Sequence, residues 1–266
     1  MLRTRVVTAI LMVAVGACLL FFLPAPLFAA AAALVLLGAG GREAGRLAGL
    51  ARSTYWIVFA AALLAIAGML YVIPDQDRFT LPLTITALVW LCLLGWLRHP
   101  TFGRGNTTLK LAVLAVILLG AWMALSLLQA ESPWLVVLPV IVVAAADIGA
   151  YFSGKAIGGA KLAPQISPGK TRAGAIGGLA AATGLTSLAV ILLPVPSFPA
   201  GLAATLGLLL AAVSIGGDLF ISLLKRQQGL KDSSSLLPGH GGLLDRFDSL
   251  GAALPFFALA WLWLGQ

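Results

Sequence analysis

Leu111–Leu128 reads LAVLAVILLGAWMALSLL, eighteen residues without a charge. A bilayer span needs about 20 mainly apolar residues, and this run has the required length and purity. Val6–Leu23, Pro26–Gly40, Tyr55–Ile73 and Leu81–Leu97 precede it as similar runs. Trp134–Phe152, Ala173–Leu193, Gly201–Leu224 and Leu250–Leu264 follow. The expected fold is therefore all-α: a polytopic membrane protein with about nine transmembrane helices, read as one domain over residues 1–266. The second and ninth runs are short, and the second is open to reading as a re-entrant segment. Composition agrees. The chain is 61% hydrophobic and 10% charged, against roughly 25% charged in soluble domains. This excludes a soluble domain, a disordered chain and a disulfide-stapled module. The runs are continuous rather than alternating, which excludes an outer-membrane barrel. Cys18 and Cys92 both fall inside apolar runs and indicate neither a zinc cluster nor a disulfide framework.

The basic residues test the count. With nine spans and a cytoplasmic N-terminus, one side receives Arg3, Arg5, Arg42, Arg46, Arg52, Arg98, Arg104 and Lys110. It also receives Lys155, Lys161, Lys170, Arg172, Lys225, Arg226, Lys231 and Arg246, leaving only Arg78 of the 17 Lys and Arg on the other side. Positive loops face the cytoplasm, and dropping the second span scatters the charges over both sides. The net charge of +8 then reads as loops beside an anionic leaflet rather than as nucleic-acid binding. A signal peptide is the bland alternative for the N-terminus, but its removal spoils this asymmetry. The outer loops Pro74–Thr80, Gln129–Pro133 and Pro194–Ala200 are short. The longest inner loops, Ser153–Arg172 and Lys225–Ser249, are rich in glycine and cations, so function is expected on the cytoplasmic face.

Nine acids in 266 residues make each one informative. Asp147 and Asp218 fall inside spans, where a carboxylate costs about 2.5–3.5 kcal/mol. Asp218, Ser222 and Lys225 share one helical face, and Gly216 and Gly217 allow another backbone to approach. For Asp218 alone, an ion pair to Lys225 or Arg226 is an equally good reading; for Asp147, a structural role with Tyr151 one turn later is. Asp245 and Asp248, at i and i+3 after the turn-forming Pro238, Gly239, Gly241 and Gly242, shift the balance. Three carboxylates near the inner surface make a hard, oxygen-rich site suited to Mg2+, and two clustered metals suit phosphoryl or nucleotidyl transfer. Lys225, Arg226, Lys231 and Arg246 interleave with them, as groups that hold phosphates do.

Gly169-Lys170-Thr171 tempts a Walker A reading. That motif needs a glycine where Pro164 stands, and a preceding strand, which is not expected here. A tight turn at Pro168-Gly169 carrying Lys170, Thr171 and Arg172 to a helix N-terminus survives, a place where phosphate is attracted; anchoring by positive charge is the equal alternative. His240 is open between general base, phosphate donor and turn residue. His99 is read as interfacial.

The stretch Ser222-Leu-Leu-Lys225-Arg226, then Lys231-Asp232, then Pro238-Gly-His240-Gly-Gly242-Leu-Leu-Asp245-Arg246-Phe-Asp248 resembles the signature of the phosphatidate cytidylyltransferase (CDP-diacylglycerol synthase) family. Asp147-Ile-Gly-Ala-Tyr151-Phe-Ser-Gly154-Lys155 and Ala163-Pro-Gln-Ile-Ser167-Pro168-Gly-Lys170-Thr171 are also similar to it. Ala173 stands where the family often has an acid or amide. The likeness is sharpest over residues 145–250. It implies an enzyme of phospholipid synthesis in the bacterial inner membrane, with its active site facing the cytoplasm. CTP and phosphatidic acid would give CDP-diacylglycerol and pyrophosphate, the lipid phosphate attacking the α-phosphorus of CTP. Asp218, Asp245 and Asp248 are then expected to carry Mg2+, with a second cation, Mg2+ or K+, beside it. Lys225 and Arg226 would bind phosphates, supported by Lys231, Arg246 and His240. Ser167, Lys170 and Thr171 would contact the nucleotide, with Ser222 beside the site and Asp147 and Tyr151 positioning substrate. Membrane lipids are expected partners, nucleic acid is not, and a homodimer is a family expectation. The rivals are a CTP-dependent lipid kinase or other lipid cytidylyltransferase, and an ion transporter lined by Asp147 and Asp218.

Overall fold

A computed structural model of the chain describes residues 2–72, 76–193 and 200–264. Residues 194–199 of the expected loop Pro194–Ala200 lie outside these, as do Pro74, Asp75 and the side chains of Arg3, Arg5 and Asp77. The described chain is helical almost throughout, as lipid requires: a backbone without water must satisfy its own hydrogen bonds. Among the described residues seven helices are long and apolar enough to cross a membrane: Ala25–Ala48, Ser53–Val72, Thr107–Glu131, Pro133–Ile157, Arg172–Leu192, Gly201–Gln227 and Leu244–Leu264. Two shorter apolar helices, Val6–Phe22 and Thr80–Trp96, accompany them.

In chain order the elements are α1 (Leu2–Phe22), α2 (Ala25–Ala33), a π-helical turn (Leu34–Ala39), α3 (Gly40–Ala48), α4 (Ser53–Val72), α5 (Thr80–Trp96), α6 (Thr107–Glu131) and α7 (Pro133–Ile157). A hairpin of β1 (Lys161–Ala163) and β2 (Ser167–Thr171) leads into α8 (Arg172–Leu192), α9 (Ala200–Gln227) and α10 (Leu244–Leu264). Local chemistry sets several starts. Asn106 caps α6 by accepting from Leu109 N at 2.9 Å, and Thr171 caps α8 by accepting from Gly174 N at 3.0 Å. Ser132 caps α7, with Pro133 at the first helical position.

Three expectations need correction. The second apolar run does not end at Gly40. It continues through the π turn into α3, carrying Arg42, Glu43 and Arg46 on a helix rather than a loop. The last helix starts at Leu244, not Leu250, so Asp245 and Asp248 lie in its first turns. The turn expected at Pro168-Gly169 lies instead at Pro164–Ile166, closed by Ile166 N donating to Ala163 O at 3.1 Å. Pro164, with its fixed φ, suits that corner, and Pro168 and Gly169 extend along β2. A strand does therefore precede Lys170, though as half of an antiparallel hairpin rather than the start of a phosphate loop.

Specific hydrogen bonds draw the basic segments to one end of the bundle. Arg46 donates to Ser233 O at 3.0 Å, Arg226 to Ile166 O at 3.4 Å, and Gln227 to Pro100 O at 2.8 Å. At the opposite end Gln129 donates to Leu23 O at 3.0 Å, joining α6 to α1. Lys110, counted above among the loop cations, is 1% exposed, and its Nζ meets no hydrogen-bond partner among the described residues. α7 and α8 pack in close backbone contact. A Cβ at Gly178 would stand 2.6 Å from Ala146 O, and one at Gly174 2.8 Å from Ala150 O. Only small residues allow such contact between spans.

Candidate functional site

The close α7–α8 contact and the hairpin after α7 form the walls of a cleft of about 380 Å3. Asp147, Tyr151, Gly154 and Lys155 line it from α7, Gly169, Lys170 and Thr171 from β2, and Ile215 from α9. Lys170 reaches across to form an ion pair with Asp218 of α9, the two side chains being 29% and 28% exposed. Ser222, one turn after Asp218, donates to its Oδ1 at 3.3 Å, as the shared helical face predicts. Asp147 lies in the field of Lys170, Asp218 and Arg246. Lys155 rests 5.8 Å from the centre of the exposed Tyr151 ring.

On the other side of Asp218, α9 meets α10. A Cβ on Gly217 would stand 2.7 Å from the Ala252 Cβ and would also strike the Asp248 carbonyl, so glycine is what lets the two backbones touch. This contact puts Asp248 within the fields of Asp218, Lys225 and Lys170. Asp248 Oδ1 accepts from Ser249 N at 2.7 Å, and its other oxygen has no hydrogen-bond partner among the described residues.

Asp245 stands apart from this group. Its Oδ1 accepts from Lys225 Nζ at 2.6 Å. Its Oδ2 accepts from Ser233 N at 2.8 Å and Gly242 N at 2.9 Å, and the Ser233 hydroxyl, whose one proton goes to Glu43, lies 3.0 Å away. Both oxygens are filled by protein donors, so Asp245 holds the loop 228–243 and Lys225 in place. The sequence had offered Lys225 to Asp218 as an alternative; the structure gives it to Asp245. Gly241, at φ +85°, turns that loop so that Gly242 N faces the carboxylate.

A second carboxylate, which sequence reasoning passed over, completes the loop's anchorage. Glu43, 4% exposed on α3, accepts from Ser234 Oγ at 2.6 Å and Leu243 N at 2.9 Å through Oε1. Through Oε2 it accepts from Ser233 Oγ at 2.7 Å and Leu244 N at 2.9 Å. It thus caps α10 from a distant part of the chain. The one signal available was an acid placed between two arginines at the end of an apolar run.

The remaining expected residues are spread around this frame. Arg226 is bound to the carbonyls of Ile166 and Leu230. Thr171 uses its hydroxyl to cap α8, and Ser167 opens β2. Arg246 and Lys231 are exposed. His240 sits at the loop tip, where Leu237 pairs with Gly241; its Nδ1 is buried without a partner among the described residues.

Among the described residues no three of His, Cys, Asp and Glu form a ready metal cage. Mg2+ does not require one. It is held by one or two carboxylates together with substrate phosphates and water. Asp218 and Asp248, hard oxygen donors that lie within each other's field across the α9–α10 contact, fit that donor set. Asp245 suits it less well, because Lys225 and the N–H groups of Ser233 and Gly242 already occupy its oxygens.

Fold and site together define an integral-membrane enzyme whose acids and cations meet beside a cleft at one end of the helix bundle. The chain belongs to the cytidylyltransferase family, whose profile matches residues 3–263, and it is accordingly a nucleotidyltransferase. It is 44% identical to the phosphatidate cytidylyltransferase of Pseudomonas aeruginosa, an alignment covering 99% of this chain and 97% of that one. The phosphatidate cytidylyltransferase of Brucella suis is 43% identical over 74% of this chain and 70% of its own. That of Bacillus subtilis is 45% identical over 44% of this chain and 43% of its own.

Proposed function

We propose that this chain transfers the cytidylyl group of CTP to phosphatidate, giving CDP-diacylglycerol and pyrophosphate at the cytoplasmic face of a bacterial inner membrane. The relatives' names supply the substrates. The observation that carries the reading on this chain is the Lys170–Asp218 pair, set between Asp147 on one side and Asp248 on the other.

In this reading a lipid phosphate oxygen forms a bond to the α-phosphorus of CTP, and the bond from that phosphorus to the β-phosphate bridging oxygen breaks. The nucleophile is already an anion, so the site needs no strong base. Its task is to bring two polyanions together. Lys170 and Lys155, both in the cleft, bind phosphate oxygens. Lys170 exchanges Asp218 for the nucleotide on arrival and so frees that carboxylate. Asp218 and Asp248 would hold Mg2+, which, when bound, neutralises phosphate charge as pyrophosphate departs. Asp245, Glu43 and Lys225 keep the loop and the start of α10 in register, so that Asp248 stays opposite Asp218. Tyr151 and Asp147 line the cleft that would receive the lipid headgroup.

The test is direct. Purified protein given CTP, Mg2+ and phosphatidate should release pyrophosphate, and Asp218→Asn should abolish that release. Release of CDP instead would make the chain a lipid kinase, and native turnover in Asp218→Asn would remove that carboxylate from the chemistry.

A further inference from the structure

A second cleft, about 490 Å3, lies on the far side of the loop 228–243 and takes no part in the reaction above. Arg42 and Arg46 of α3, Trp56 of α4 and Ser233–Leu236 line it, around Glu43. Arg42 and Arg46, four residues apart, share one helical face. Arg46 spends one nitrogen on Ser233 O and keeps its remaining donors. Arg42 makes no hydrogen bond or ion pair with a described residue, and neither does the hydroxyl of Ser235. Glu43, the carboxylate of this cleft, already accepts four hydrogen bonds. The cleft therefore presents guanidinium and hydroxyl donors and, among the described residues, no unpaired carboxylate, which suits an anion. Guanidinium forks match phosphate oxygens in pairs.

The rim indicates which phosphate. Leu236, 54% exposed, projects at its edge. Trp56 also lines the cleft, its indole N–H donated to Leu50 O at 2.8 Å. An apolar side chain and an interfacial tryptophan around a basic hollow between spans suit a lipid whose chains leave into the bilayer. A soluble anion would gain nothing from them.

We propose that this cleft binds the phosphate headgroup of an anionic phospholipid, separate from the lipid that reacts. Its occupant also braces the loop. Ser233, which gives its N–H to Asp245 and its hydroxyl to Glu43, is held on its carbonyl by Arg46 and flanked by Ser234 and Ser235 of the cleft wall. A headgroup drawn between Arg42, Arg46 and Ser235 therefore restrains the segment that fixes Asp245 and, through it, Lys225.

Native mass spectrometry of the full chain in detergent tests this, titrated separately with phosphatidylglycerol and phosphatidylcholine. CTP and phosphatidate are absent from the titration, so the outcome is independent of the reaction proposed above. The wild type should bind phosphatidylglycerol in preference. Arg42→Gln should weaken that binding about fivefold, the worth of one surface arginine beside anionic lipid, and Arg42→Lys should keep part of it. Arg52→Gln makes the same charge change at an exposed site outside the cleft and should leave binding as it was. Equal losses in Arg42→Gln and Arg52→Gln would reduce the effect to general surface charge and overturn the site, as would no loss in either. Displacement of the bound lipid by inorganic phosphate or CTP in a further titration would assign the cleft to a soluble anion and overturn the lipid assignment.

Discussion

Glu43→Gln keeps the size of the side chain and changes only what it can accept. Each carboxylate oxygen of Glu43 takes one serine hydroxyl and one backbone N–H of the α10 start. Glutamine replaces one of these oxygens with an NH2 group. The serine facing it can rotate and accept instead, but the backbone N–H cannot. One buried donor is stranded, at about 1–3 kcal/mol, and the negative charge at the helix N-terminus is lost, at about 0.3–1 kcal/mol. Together these weaken the anchorage by roughly 1.5–4 kcal/mol, or about ten- to several-hundredfold in the population of the opened loop. Hydrogen exchange followed by mass spectrometry reads this on peptides covering residues 230–245. The amides of Ser233, Leu243 and Leu244 should exchange faster by that factor, and pyrophosphate release should fall with them. Exchange unchanged within experimental error, with native turnover, would show that Glu43 does not hold the loop.

Asp245→Asn and Asp248→Asn should separate two roles for neighbouring acids. The first lowers the unfolding temperature because Oδ1 or Oδ2 loses its donors, while the second leaves stability intact and raises the Mg2+ concentration needed for turnover. Lys225→Met strands the buried charge of Asp245 and should cost about 3–5 kcal/mol, read by thermal unfolding in detergent. Gly178→Val drives a side chain into the Ala146 carbonyl, so turnover and unfolding temperature should both drop. Gly184→Ala, where no atom lies within 4 Å of the new methyl, should be neutral or stabilising. Chelation of divalent cations should stop pyrophosphate release, and readdition of Mg2+ should restore it.

The apolar runs were legible because lipid imposes an unbroken stretch of sequence on every crossing, whatever it packs against. Boundaries blurred where that demand stops. α3 carries Arg42, Glu43 and Arg46, so its hydropathy falls although its helix continues, and nothing local to Gly40 shows that a loop from the far end of the chain will receive those charges. The acids of the site were found by their rarity, and Ser222 on Asp218 followed from helical spacing. Pairings between elements were not legible. Lys225 is equally well placed along its helix to serve Asp218, and only the course of the loop 228–243 delivers Asp245 to it. Lys170 finds Asp218 across a hairpin whose turn the sequence placed four residues late. Asp245 looked like a metal ligand because carboxylates near phosphate-binding cations often are; the groups that occupy it include two backbone N–H groups from the loop 228–243, which no residue pattern reveals.

The grip of Glu43 on its partners spans 190 to 201 residues of sequence. During biosynthesis Glu43 leaves the ribosome early and waits, its carboxylate without the serines and amides it will bind, until nearly the whole polypeptide has been threaded into the bilayer. The centre of the enzyme therefore cannot assemble on a partly made chain.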